Sequence, residues 1–265
     1  MAVKTRRVRV TDIKDMKRGE KIAMLTAYDA SFARLLEAAG IEILLVGDSL
    51  GMVVMGEDTT IPVTLDAMIH HTRAVTHGVK RALVVADMPF LSYQASVAEA
   101  VHSARRLIQE GGAAAVKMEG GRPVVDAVRR LGEVGIPVMG HLGLTPQSVH
   151  RLGGFGRQAR HEEDAEQLVQ DARLLDDAGV FAIVLESIPD TVARRVTETV
   201  SAPTIGIGAG PHCDGQVLVC YDAFGLLPDF VPPFVKQYAN VGEQIIQAAR
   251  QYAAEVKDGN FPVPR

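Results

Sequence analysis

Eight short apolar runs, rich in β-branched residues, recur along this chain, most with helical patterns between them. They are IAMLTAYD (22–29), ILLVGDS (43–49), ALVVADMP (82–89), AAVKMEG (114–120), PVMGHLGL (137–144), FAIVLES (181–187), PTIGIGAG (203–210) and QVLVCYDAFG (216–225). The runs are continuous rather than alternating, as expected for parallel strands covered on both faces. Helices are expected over 31–39, 65–77, 97–110, 162–178, 190–200 and 240–257, three of them ending at Gly40, Gly78 and Gly179. Ser96 with Glu99 three residues on reads as a capping box for the helix at 97–110. Residues 11–17 read as an extra helix plugging the bottom of the structure. Eight strand-like runs, six of them followed by a helical pattern and none by a linker, point to an α/β fold, a (βα)8 TIM barrel forming a single domain over 1–265 with an N-terminal extra helix. A doubly wound sheet is the alternative, and it rarely needs eight evenly spaced units.

The 265 residues, 47% hydrophobic and 23% charged, suffice for one large core. A net charge of −4 gives no global field favouring nucleic acid or anionic membrane. The basic cluster Lys4, Arg6, Arg7 and Arg9 reads as a solvated tail rather than a nucleic-acid arm. The N-terminus has no apolar leader-like core, and no stretch reaches the ~20 apolar residues that a span needs. Cys213 and Cys220 form no CxxC and have no His at zinc spacing, so both read as packed thiols in a reducing compartment. The expectation is a soluble cytoplasmic protein that engages neither nucleic acid nor membrane.

Barrel active sites lie at the C-terminal ends of the strands, and there the polar residues of these runs collect. Tyr28 and Asp29 end the first, Asp48 and Ser49 the second, Asp87 the third, Lys117 and Glu119 the fourth, His141 the fifth, Glu186 and Ser187 the sixth. Lys117 and Glu119 are two apart in a strand, so both point to one face, the barrel interior. A structural salt bridge is the alternative, although a buried ion pair stabilises weakly at best. Asp48, Asp87 and Glu119 come from consecutive strands about 4.8 Å apart. Each alone can be a helix N-cap. Together they form an arc that can reach one hard divalent cation, directly or through its waters, and Mg2+ is the cation that chemistry favours. Zinc is disfavoured, with only His141 nearby and no thiolate at a strand end.

Glu186 stands outside that arc and suits a general base. His141 either orients substrate or shares proton traffic, unless it is a satisfied core residue. Two long loops, 51–63 and 145–160, have the length of lids, the second with Gly153, Gly154 and Gly156 as flexible points. The stretch IGIGAG (205–210) either cradles a phosphate or allows close backbone packing; no GKS or GKT follows it.

The blocks LLVGDSLGMVVMGEDTTIPVTLDAMIHHTRAV, ALVVADMPFLSY, EGGAAAVKMEGG, VMGHLGLTPQSV, VLES and IGIGAGPHCDGQVLV resemble the 3-methyl-2-oxobutanoate (ketopantoate) hydroxymethyltransferases. The resemblance runs from about Thr11 to beyond Gly225. It implies an enzyme of pantothenate and coenzyme A biosynthesis that transfers a hydroxymethyl group from 5,10-methylenetetrahydrofolate to 3-methyl-2-oxobutanoate, giving 2-dehydropantoate through a Mg2+-stabilised enolate. On these motifs it places metal and keto-acid binding on Asp48, Ser49, Asp87, Lys117 and Glu119, proton removal on Glu186, and a substrate contact on His141. It also implies a homo-oligomer, commonly a decamer. One departure is at Arg157-Gln158-Ala159, where the family commonly reads something like VQG, which puts the closed shape of that loop in question. The enzymatic alternative is a Mg2+-enolate C–C lyase or mutase of the phosphoenolpyruvate mutase and isocitrate lyase type, but a KKCGH-like catalytic loop is absent.

Overall fold

The apolar runs pair side by side in chain order. In the structure, a computed structural model describing residues 6–227 and 231–263, the strands are β1 (Ile22–Thr26), β2 (Ile43–Val46), β3 (Leu83–Asp87), β4 (Ala115–Glu119), β5 (Val138–Gly143), β6 (Ala182–Glu186), β7 (Thr204–Ile207) and β8 (Gly215–Leu218). They close into a barrel in the order β1 to β8, with parallel neighbours. The helices are α1 (Val10–Asp15), α2 (Ala30–Ala38), α3 (Leu50–Val53), α4 (Leu65–Gly78), α5 (Val97–Gln109), α6 (Val125–Glu133), α7 (Val149–Leu152), α8 (Glu162–Asp177), α9 (Asp190–Thr199), α10 (Cys220–Ala223) and α11 (Val241–Lys257). The (βα)8 expectation holds.

The structure departs most from the sequence reading at one strand limit and at one helix that the reading did not include. The run at 216–225 is strand only to Leu218, and its second half forms α10; an unbroken apolar run does not distinguish a short strand from a buried helical turn. The crossover from β4 to β5 is α6, which buries Val125, Val128 and Leu131 on one stripe.

The interior is layered by the two-residue period of the strands. Ile22, Met24, Ile43, Leu45, Leu83, Val85, Ala115, Met139, Ala182, Val184 and Ile205 form its apolar core. Continuing the same faces by two residues reaches Asp87, Lys117, His141 and Glu186, so apolar residues fill the barrel and polar ones line its mouth. At the opposite end α1 inserts Ile13, fully buried, into the same core, flanked by Val8, Val10 and Met16. Burying such a side chain stabilises by about 1.5–3 kcal/mol. The helix is held there by Lys17, whose Nζ donates to the carbonyls of Thr197 (2.8 Å) and Ala202 (3.0 Å) and pairs with Asp214 (3.0 Å). The expected plug is therefore present.

Helix caps account for other polar residues. The Ser96 hydroxyl accepts from the Glu99 N–H at 3.2 Å. Asp29 accepts from the N–H groups of Ser31 and Phe32 and starts α2, so this strand-end acid is a cap rather than part of a site. The chain divides into two compact units, 1–217 and 218–265. Within the second, α11 buries no residue and leaves Ile245, Ile246, Tyr252 and Val256 exposed. Among the described residues no helix is long and apolar enough to cross a membrane.

Candidate active site

Strand register decides which polar residues meet. Asp87 of β3 lies opposite Lys117 of β4, and Glu119 lies opposite His141 of β5. Accordingly Lys117 Nζ sits 3.0 Å from Asp87 Oδ1 and 3.1 Å from His141 Nδ1. The same His141 Nδ1 is 3.3 Å from Glu119 Oε1, and His141 Nε2 is 3.1 Å from Glu186 Oε2, close enough for an ion pair but angled away from a straight hydrogen bond. Asp87, Lys117, Glu119 and His141 are buried, while Glu186 is partly open. Sequence alone leaves Glu186 apart from the acid arc; in the fold His141 joins it to that arc.

Asp48 follows β2 in a turn, where its N–H donates to Asp87 Oδ2 at 3.1 Å. Beside it the Ser49 hydroxyl lies 2.9 Å from the Tyr28 hydroxyl. Two residues that periodicity does not reach complete the surroundings. Gln147 follows β5 in a 3-10 turn (Pro146–Ser148) and donates from Nε2 to Asp48 Oδ2 at 2.8 Å and from its backbone N–H to Glu119 Oε2 at 3.0 Å. Tyr93 accepts from the Glu119 N–H at 3.0 Å and donates to Gln147 Oε1 at 2.8 Å. Both lie inside the blocks ADMPFLSY and GHLGLTPQSV, whose motif character is the only sequence signal for them.

The site carries more buried acid than base. Burial first, then the charges of Asp87 and Glu119, holds the Asp48 carboxyl well above the usual carboxylate range. Burial likewise raises Asp87, against the pull of Lys117. For Glu119 burial also opposes ionisation, but His141, Lys117 and the Gln147 N–H outweigh it and keep this carboxyl low. Burial works against the Lys117 ammonium, yet Asp87, Glu119 and Asp48 together hold it above an ordinary lysine. Burial and Lys117 oppose a charge on His141, and the adjacent Glu119 and Glu186 carboxylates overcome both, lifting the imidazole to about 9. A buried acid excess of this kind favours uptake of a proton or a cation. Its donors are hard carboxylate oxygens, suited to a hard dication. Among the described residues no three His, Cys, Asp or Glu side chains are gathered so as to hold a metal ion.

The loop after β5 is anchored beside Glu186. Leu144 N–H donates to the Glu186 carbonyl, Gln158 N–H to the Ser187 carbonyl (both 2.8 Å), and Arg157 Nη2 to the Ile188 carbonyl at 3.0 Å. The departing segment Arg157-Gln158-Ala159 thus has a defined seat, with Ala159 in the left-handed region at φ +51. In the IGIGAG stretch Gly210 has φ +77, and a Cβ there would strike Asp190, which supports close packing.

A family model described as ketopantoate hydroxymethyltransferase matches residues 7–264. The chain is 54% identical over 260 residues to a protein of Syntrophus aciditrophicus (strain SB) named 3-methyl-2-oxobutanoate hydroxymethyltransferase, covering 98% of this chain and 96% of that one. It is 57% identical over 257 residues to the Moorella thermoacetica protein of the same name, covering 97% and 96%. Among solved structures it resembles phosphonopyruvate hydrolase, solved with oxalate and Mg++, at a TM-score of 0.64 and 13% identity, covering 94% and 87%. It also resembles 2,3-dimethylmalate lyase, a member of the PEP mutase/isocitrate lyase superfamily, at 0.60 and 18%, covering 96% and 89%. At those identities the structural likeness speaks for the barrel alone, and sequence separates the transferase reading from the lyase reading. Matched from residue 7 to residue 264 by that family model, and at more than half its positions by these relatives, this chain belongs to the ketopantoate hydroxymethyltransferase family.

Proposed function

We propose that this enzyme transfers a hydroxymethyl group from 5,10-methylenetetrahydrofolate to 3-methyl-2-oxobutanoate, with uptake of water, giving 2-dehydropantoate. The observation carrying this reading is the ordered array Asp87–Lys117–His141–Glu186, in which a buried ammonium and a partly open carboxylate flank one imidazole. Asp48, Asp87 and Glu119 would hold Mg2+, and the ion supplies Lewis acidity to the oxygens of a bound 2-oxo acid. The residues of the chain do the rest. Glu186, at the open side of the site, removes the proton from C3 of the keto acid. Lys117 places a fixed positive charge where negative charge develops on the 2-oxo oxygen, and a preorganised charge stabilises the transition state more than the ground state. His141 holds the Glu186 carboxylate and keeps Glu119 ionised. Ser49 and His141 face the same mouth and would contact the keto acid. Water adds to the methylene carbon of the folate donor and releases it from both nitrogens as formaldehyde; the enolate carbon then bonds to that carbon, and its oxygen takes up a proton to become the new hydroxyl.

The test is an assay of the purified protein with 3-methyl-2-oxobutanoate, methylenetetrahydrofolate and Mg2+, with and without EDTA. Product should form only with metal, and the C3 hydrogen of the keto acid should exchange with D2O even without folate. No product from the complete mixture would overturn the assignment; turnover unaffected by EDTA would overturn the metal. A homo-oligomer accords with the exposed apolar side chains of α11, and light scattering of the intact protein tests it.

A further inference from the structure

We propose that Gln147 is a positioning residue that couples the seating of the loop after β5 to the placement of the Asp48 and Glu119 carboxylates. The inference rests on the reading of those carboxylates as cation ligands. Gln147 is buried. Its Nε2 donates to Asp48 Oδ2 and to the Met88 carbonyl, both at 2.8 Å. Its Oε1 accepts from the Tyr93 hydroxyl at 2.8 Å and from Gln94 Nε2 at 2.9 Å. The orientation is forced, because the Met88 carbonyl can only accept, so the amide nitrogen must face it. Both N–H bonds and both lone pairs of the amide are thereby used. The fifth bond, from the backbone N–H to Glu119 Oε2, forms only when the 3-10 turn is seated over the mouth.

One residue, through its side chain and its backbone N–H, thus ties together the ends of β2, β3 and β4 with the loop that follows β5. A fully satisfied buried network specifies a single arrangement, whereas one missing member leaves several groups unpaired. With this loop lifted, Asp48 and Glu119 lose the bonds that Gln147 gives them, and the loop loses its buried anchor if the acids move. Occupancy by a cation and seating of the loop should therefore rise together. Neither Gln147 nor Tyr93 needs to touch a cation for this effect, since residues that orient ligands typically change metal affinity by about 10–100-fold.

The experiment measures Mg2+ binding by calorimetry on the full chain, and tryptic cleavage at Arg151, Arg157 and Arg160 with and without Mg2+. The variants are Gln147→Met, Tyr93→Phe and Asp87→Asn. Gln147→Met keeps the length of the side chain and removes its four hydrogen bonds. It should weaken Mg2+ binding about 10-fold or more and abolish the slowing of cleavage by Mg2+ expected in the wild type. Tyr93→Phe should weaken binding a few-fold, and in a Gln147→Met background it should add little, since both act through one network. A folded Gln147→Met with wild-type affinity and wild-type protection overturns the inference. If that variant does not fold, unchanged affinity in Tyr93→Phe overturns it. Asp87→Asn separates the two readings: lost affinity there with intact affinity in Gln147→Met defeats only the positioning role, whereas intact affinity in Asp87→Asn defeats the metal reading beneath it.

Discussion

His141 Nε2 lies 3.1 Å from Glu186 Oε2, and the other nitrogen of the same ring lies 3.3 Å from Glu119 Oε1. One imidazole therefore links the carboxylate at the open side of the mouth to a carboxylate in its buried floor. The two acids belong to β6 and β4, and β5 places His141 between them. The two carboxylates favour the protonated ring, against burial and the nearby Lys117 ammonium.

If Glu186 is the base, Glu186→Gln should bind Mg2+ and keto acid nearly as the wild type does while turnover falls by about 10²–10⁴-fold, the range that general-base catalysis supplies. Solvent exchange of the C3 hydrogen should fall with it. Exchange at the wild-type rate in this variant would remove Glu186 from the role.

Gly143 lies opposite Glu186 in the sheet, has φ +94, and a Cβ added there would land on the Glu186 carbonyl oxygen. Gly143→Ala should therefore strain β5 against β6, cost roughly 1–3 kcal/mol of stability, and shift the base enough to lower kcat more than it raises KM. A variant with unchanged melting temperature and kcat would contradict this.

Asp214 accepts from the Arg18 N–H (3.0 Å) and the Thr204 N–H (2.9 Å) and pairs with Lys17, far from the mouth. Burial opposes its ionisation, but these partners outweigh burial and hold the carboxyl below its ordinary value of 3.8. A depressed acid contributes stability that is present above the unfolded value and is lost as pH falls through the folded one. Asp214→Asn should thus lower stability by roughly 2–3 kcal/mol at neutral pH and converge on the wild type as pH drops below 3.8. Thermal melts across that range check it; a deficit independent of pH would refute the charge contribution. At temperatures where the variant is folded, kcat should be unchanged.

Metal should stabilise as well as activate. With Mg2+ at about 100 times its Kd, linkage predicts about 2.7 kcal/mol of added stability, seen as a higher melting temperature that EDTA reverses. Asp87→Asn should erase most of the shift. The same Mg2+-dependent rise in the Asn variant would place the ion elsewhere.

Along a strand, side-chain direction follows from counting by two, so the sequence by itself determined that Lys117 and Glu119 share the inner face and that apolar residues precede them. Unbroken apolar runs separated by helical patterns likewise determined a parallel, doubly covered sheet, and its eight repeats determined a barrel. Motif blocks determined the family. Between elements that arithmetic stops. Whether Asp29 caps α2 or joins the site, whether the run after Leu218 turns helical, and whether His141 bridges Glu186 to Glu119 depend on register and on contacts between distant segments. Gln147 reaches Asp48 across 99 residues of chain, and no local period encodes such a bond. Only the tertiary structure decides it, because the bond exists when strand ends and loop arrive together and the buried polar groups find no other partners.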